Sequence, residues 1–214
     1  MAKRIFLFLI IGLSVVGCKM WGVRGSGHVE TEIRNVADFK SIEIAGNFVV
    51  DIEIEDAYYL EVKADDNLMD YITTRVRGEN LIIDTKKNLN PRKDIKIKIK
   101  TPHLEMIESS GANEIWASGI NEDYLEIILS GAGSIDLRGD VEKLQIGLSG
   151  AGNVNARKLY AKNTRISISG AASADVYASE SIDAEVSGVG SIDFYGDPAD
   201  VRTDISGVGS INRK

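Results

Sequence analysis

One set of polar side chains recurs in this sequence at a spacing that could place it on a single surface. Asp136, Asn155, Asp175, Asp193 and Asn212 follow one another at steps of 18 to 20 residues. Each stands two residues after Ser134, Asn153, Ser173, Ser191 or Ser210. Carboxylates and carboxamides in a row accept and donate hydrogen bonds, so they can read the hydroxyls of a ligand. Asp175 and Asp193, if they lie on adjacent turns of chain, could also share a hard cation such as Ca²⁺. The nine-residue G-G-x-G-x-D-x-U-x rhythm of calcium-binding coils is missing, which argues against metal. The structural alternative is a ladder of stacked Asn and Ser side chains that bond along the stack and serve no ligand.

Other chemistry is sparse. His28 and His103 are far apart, and neither sits in an H-x-x-x-H or cysteine pattern that would hold a metal, so both read as solvated or turn residues. No G-x-S-x-G elbow and no P-loop occurs, and the Gly-x-Gly units lack the third glycine and following helix of a dinucleotide site. Carboxylates are abundant, with 32 Asp and Glu in the chain, yet no cluster or long insertion marks a pair for glycoside cleavage. We therefore expect no catalytic residues, no metal and no cofactor.

The elements that would position this row are themselves repeated. From residue 110 a tetrapeptide returns as Ser110-Gly-Ala-Asn113, Ser130-Gly-Ala-Gly133, Ser149-Gly-Ala-Gly152, Ser169-Gly-Ala-Ala172, Ser187-Gly-Val-Gly190 and Ser206-Gly-Val-Gly209. A period near nineteen residues is too short for a propeller blade and lacks leucine-rich-repeat grammar, which leaves one coil of a parallel β-helix. Apolar residues flank each motif with one parity: Ile127/Leu129, Ile146/Leu148, Ile166/Ile168, Ala184/Val186 and Thr203/Ile205 before it, and Ile135/Leu137, Val154/Ala156, Ala174/Val176, Ile192/Phe194 and Ile211 after it. A strand turns alternate residues to opposite faces, so these point inward and the Asp/Asn row points outward. The glycines at 131, 150, 170, 188 and 207 should stack over one another where no side chain fits.

The first half alternates apolar and polar residues without a strict period, as in Ser41–Ile54, Tyr59–Val62, Leu81–Asp84 and Ile95–Lys100, with turns at Asp65-Asp66-Asn67 and Asn88–Pro91. We read both halves as one continuous solenoid of about nine coils, some 40–45 Å long at ~4.8 Å per coil. A separate β unit over residues 28–105 is the alternative. Lys96, Lys98 and Lys100 alternate against Ile95, Ile97 and Ile99, and Asp51, Glu53 and Glu55 do likewise, so the two strips can pair if their strands are neighbours.

The amino end is a different kind of sequence. A basic start, Met-Ala-Lys-Arg, leads into an apolar run from Ile5 to Val16 that is too short to span a bilayer as a mature helix, and then Gly17-Cys18. Val15-Val16-Gly17-Cys18 resembles the lipobox of bacterial lipoproteins, and Cys18 is the sole cysteine. The resemblance implies a signal peptide over residues 1–17, acylation at Cys18 including palmitate, and residues 18–27 as a lipidated cysteine with a short glycine-rich tether. A β-helix domain is expected over 28–214. Without residues 1–17 the chain carries 23 basic and 32 acidic side chains, a formal charge of −9, which argues against nucleic acid as a partner.

The segments Gly25–Glu30, Arg34–Ile44 and Asp66–Ile72 with Leu81–Ile83, together with the Ser-Gly-Ala-Gly coils, resemble the autotransporter-adhesin, head-GIN-domain family common among Bacteroidota. That resemblance implies a right-handed, single-stranded parallel β-helix in an exported or lipid-anchored protein. Asn113 and Ala172 replace the usual glycine, so the bend is expected to vary between coils. The expected role is an adhesin-like or scaffold lipoprotein of the envelope, in the outer membrane, offering polar β-faces to a glycan or another protein. Rival readings are a polysaccharide-active β-helix enzyme and a structural or sensory accessory. No capping helix follows the last motif, from which we expect weak self-association.

Overall fold

The computed structural model describes residues 22–214. Its strands are β1 (Val23–Arg24), β2 (Val29–Ile33), β3 (Ser41–Gly46), β4 (Val49–Ile54), β5 (Tyr59–Asp65), β6 (Ile72–Arg77), β7 (Asn80–Thr85), β8 (Leu89–Asn90) and β9 (Lys96–Thr101). There follow β10 (Met106–Gly111), β11 (Glu114–Leu129), β12 (Ser134–Leu148), β13 (Asn153–Ile168), β14 (Ala171–Tyr177), β15 (Ser181–Val186), β16 (Val189–Tyr195), β17 (Asp200–Ile205) and β18 (Val208–Arg213). Among the described residues, one 3-10 turn, Asp66–Tyr71, is the exception to an otherwise β fold.

From β10 onward the chain winds as a parallel β-solenoid of about five turns. Successive coils pair in parallel, Ile107 beside Ile127 beside Ile146 beside Ile166 beside Ala184. On the other side of the motif Ile115, Ile135, Val154, Ala174, Ile192 and Ile211 form the matching column. All but Ile211 are buried, as the alternation requires. Each isoleucine or valine so removed from water contributes roughly 1.5–3 kcal/mol, and the coil above supplies the cover that one coil lacks. In the final coil that cover is absent, so Thr203 and Ile205, although of inward parity, are exposed. A third side, residues 120–125 against 139–144 and 158–164, closes the middle coils.

The glycine column is real and has a single cause. A Cβ on Gly131, Gly150, Gly170, Gly188 or Gly207 would lie 1.9–2.1 Å from the carbonyl oxygen of the glycine one coil below. Those oxygens point up the stack to accept the next residue's N–H, as Ala151 donates to Gly131 at 3.0 Å and Val189 to Gly170 at 2.9 Å. The corner therefore excludes any side chain. At the first departure from the motif, Asn113 is fully buried and replaces backbone contacts: its Oδ1 accepts from Phe48 N–H at 3.1 Å, and its Nδ2 donates to the Ser110 carbonyl at 2.9 Å. Ala172 keeps its methyl group inside the stack.

The first half joins the same sheet but not in chain order. The β3/β4 coil lies between β7/β9 on one side and β10/β11 on the other. Antiparallel strands then finish that end, β6 against β7, β5 against β9 and β2 against β5. A count of nine coils in simple succession is therefore corrected: alternation identifies strands but carries no information on which ones stack. Part of the segment expected to be a tether is also built into the fold, because β1 pairs with β8 and Gly25 N–H donates to the Asn90 carbonyl at 2.9 Å. Asp65, completely buried, clasps this segment by accepting from Gly27 N–H at 2.9 Å and Arg92 N–H at 2.8 Å.

Candidate functional surface

Parallel register places the sequence-predicted row on one line: Asp136 beside Asn155, Asn155 beside Asp175, Asp175 beside Asp193, Asp193 beside Asn212. Asp136, Asn155, Asp175 and Asp193 each follow a buried residue and are partly exposed, whereas Asn212, next to half-buried Ile211, is exposed. Rungs are tied in part. Asn155 Nδ2 donates to Asp136 Oδ2 at 2.7 Å, and Asn212 Nδ2 to Asp193 Oδ1 at 2.9 Å. That second bond, helped by Lys214, holds the Asp193 carboxyl below its ordinary range. Arg138 Nε meets Asp136 at 2.9 Å, and the Tyr195 hydroxyl reaches Asp175 at 3.4 Å. A companion line of Ser134, Asn153, Ser173, Ser191 and Ser210 runs beside it. The face is thus a strip of carboxylate acceptors interspersed with carboxamides, with the coil spacing as its repeat.

The strip extends past the repeats. Trp116 pairs with Asp136 on one side and Asp51 on the other, and Asp51 pairs with Lys98. The two charged runs predicted from alternation do meet: Lys98 Nζ lies 2.9 Å from Glu53, and Lys100 Nζ lies 2.7 Å from Glu55 and 3.3 Å from Glu53. Hydrogen bonding from Lys98 lowers the Glu53 pKa, and the same bond raises that of Lys98.

Sequence reading missed a second surface, on the third side of the coils. Asn121, Asp140 and Tyr160 stand in one line, flanked by the Lys162–Glu142 ion pair and by Tyr177, whose ring meets Tyr160 edge-on at 5.1 Å. These residues line an open groove of about 510 Å³. Their spacing follows the same coil step, so the signal existed, but it lay between motifs where no serine or glycine marked it. His103 faces Glu122 at 3.3 Å, whereas His28 lies on the opposite part of the chain beside the Asp66 turn. Among the described residues, no three His, Cys, Asp or Glu side chains come together as a metal would require. Cys18 lies outside the described residues.

The described residues form a β-solenoid whose polar side chains lie on open faces. The chain belongs to the family described as "Putative auto-transporter adhesin, head GIN domain", whose model matches residues 38–198. It is similar to the crystal structure of a "putative adhesin" from Bacteroides fragilis, with 26% identity and a TM-score of 0.76 over 90% of this chain and 100% of that one. A "putative lipid binding protein" from Parabacteroides distasonis is 25% identical, with a TM-score of 0.55 over 90% of this chain and 99% of that one. A "putative adhesin" from Parabacteroides merdae shares the fold at 18% identity and a TM-score of 0.57, over 90% of this chain and 99% of the other. A search of curated proteins found no match. The family suggests a cell-surface or envelope location and an adhesin-like binding role.

Proposed function

We propose that this protein is a lipoprotein, acylated at Cys18 and held in the outer membrane, that uses the outward face of its solenoid as an adhesin-like surface for glycans, and that it is not an enzyme. The observation that carries the reading is the in-register strip from Asp136 to Asn212, a periodic set of hydrogen-bonding groups on a rigid scaffold. Hydroxyl-rich chains repeat on a comparable length scale and are bound through many shallow polar contacts, whereas catalysis asks for converging groups in a sheltered pocket. A protein partner on the same strip is the alternative occupant. Exposed Val189, Val201, Ile205 and Val208 at the last coils support weak self-association beside this role.

The test uses a glycan array probed with residues 22–214 and with a variant carrying Asp136→Ala, Asp175→Ala and Asp193→Ala. The expected result is binding by the first and a loss of at least tenfold in the second at unchanged circular dichroism. Equal binding by both would remove the strip as the site. Metabolic labelling with palmitate tests the anchor, and Cys18→Ser should abolish incorporation and release the protein from the membrane fraction.

A further inference from the structure

The outward face contains one arrangement that stability alone does not explain. Lys63 on β5 and Lys96 on β9 are direct cross-strand partners, and both are exposed on the outer side. Like charges set opposite each other in an antiparallel pair are destabilising. Two neighbouring lysines on this sheet, Lys98 and Lys100, are neutralised by Glu53 and Glu55. Neither Lys63 nor Lys96 makes an ion pair among the described residues, in a chain whose formal charge is −7.

The depression in front of this pair is about 430 Å³ and is also lined by Val49, Asp51, Glu61, Ile97, Trp116 and Lys98, the last already paired with Glu53. Trp116 is 41% exposed. It leaves an indole beside Val49, an apolar patch on an otherwise polar face. An aromatic ring of this kind stacks on the C–H face of a sugar, and carboxylates beside it accept hydroxyl hydrogens. Cations at the far wall add a demand for negative charge.

We propose that the saddle between Trp116 and the Lys63/Lys96 pair binds a pyranose unit bearing a carboxylate, as in a glycan containing uronic acids. Trp116 stacks on the ring, Asp51 and Glu61 take its hydroxyls, and the two ammonium groups close on the carboxylate and relieve their mutual repulsion. The inference rests on the glycan reading of this face and adds the sugar class and the end of the strip where it binds. Because the contacts are solvent-exposed charges, affinity falls as salt rises over the range in which the Debye length drops from about 10 to 3 Å.

Residues 22–214 contain Trp116 as their single tryptophan, so its fluorescence reports the site directly. Oligogalacturonate, oligoguluronate and a hyaluronan fragment are titrated, each against its methyl ester, with calorimetry in parallel. At least one acid is expected to shift the emission, with affinity weakened tenfold or more by esterification, by Lys96→Glu, and by Trp116→Ala read in the calorimeter. Lys96→Glu should meanwhile leave the melting temperature equal or higher, since repulsion with Lys63 becomes attraction. Acids and esters binding alike, or acid binding that survives Lys96→Glu, would overturn the proposal. Neutral glycans that bind without moving Trp116 would overturn it while leaving the wider strip in place. No glycan bound anywhere would overturn both.

Discussion

The two halves of the chain build one sheet by different rules. In the coils after β10, every strand except β17 and β18 of the last coil has a partner on each side, so each position sees similar neighbours and the same residue type returns there. In residues 22–101, each strand meets a different partner: β5 faces an antiparallel β9, β3 is enclosed between β7 and β10, and β1 is tied to β8. Repetition there is replaced by singular contacts such as the Asp65 clasp and the Arg34 guanidinium, which donates to the carbonyls of Ile72 at 2.7 Å and Met69 at 3.2 Å. Sequence periodicity thus reports identical surroundings, and its loss marks the end where the solenoid is closed off.

The contrast is sharpest at the glycine column. Gly150→Val should be the most damaging substitution, because the first added carbon already lies 1.9 Å from the Gly131 carbonyl oxygen and the neighbours are backbone. Overpacking usually costs about 1–3 kcal/mol, and a backbone clash belongs at or beyond the top of that range. Urea denaturation should show a large fall in midpoint or no folded protein, whereas Gly147→Val, with open space around its Cβ position, should change little. In the irregular half, Asp65→Ala should cost about 1–3 kcal/mol through two orphaned N–H groups. Its signature should be local: limited proteolysis should cut near Gly25–Gly27 while the coils stay resistant.

The smallest effect expected is that of pH. Asp193 and Glu53 both have folded-state pKa values below the ordinary carboxylate range. Each therefore contributes stability above its unfolded pKa of about 4, and that contribution is lost as pH falls through the lowered folded value. The melting temperature should be flat from neutral pH to about 5 and decline below about 4. Asn212→Ala, which removes the main cause of the Asp193 shift, should make that decline shallower.

Legibility followed the same division. The Ser-Gly motif and its flanks exposed the fold class, the inward columns and the outward Asp/Asn row, because a fixed period forces register. The Lys/Glu pairing was legible from alternation once the strands proved to be neighbours. Three things were hidden. The β3/β4 coil lies out of chain order, since an alternating strand looks the same wherever it stacks. Trp116 joins the row from outside the repeat, so its place beside Asp136 and Asp51 could not be read from the period. The Asn121–Asp140–Tyr160 line changes residue type at each step, which hides its constancy of position.

The account depends on adjacent coils lying in the stated register, since only that makes a strip of scattered Asp and Asn residues. Residues 22–214 contain no cysteine, so paired cysteines report it cleanly. With Asp175→Cys and Asp193→Cys together, mild oxidation should join the two, because partners in neighbouring strands fall within the ~4.4–6.8 Å Cα spacing that a disulfide spans. Asp136→Cys with Asp193→Cys, three coils apart, should stay reduced. Failure of the first pair to close, or closure of the second as readily, would contradict the register and with it the binding face.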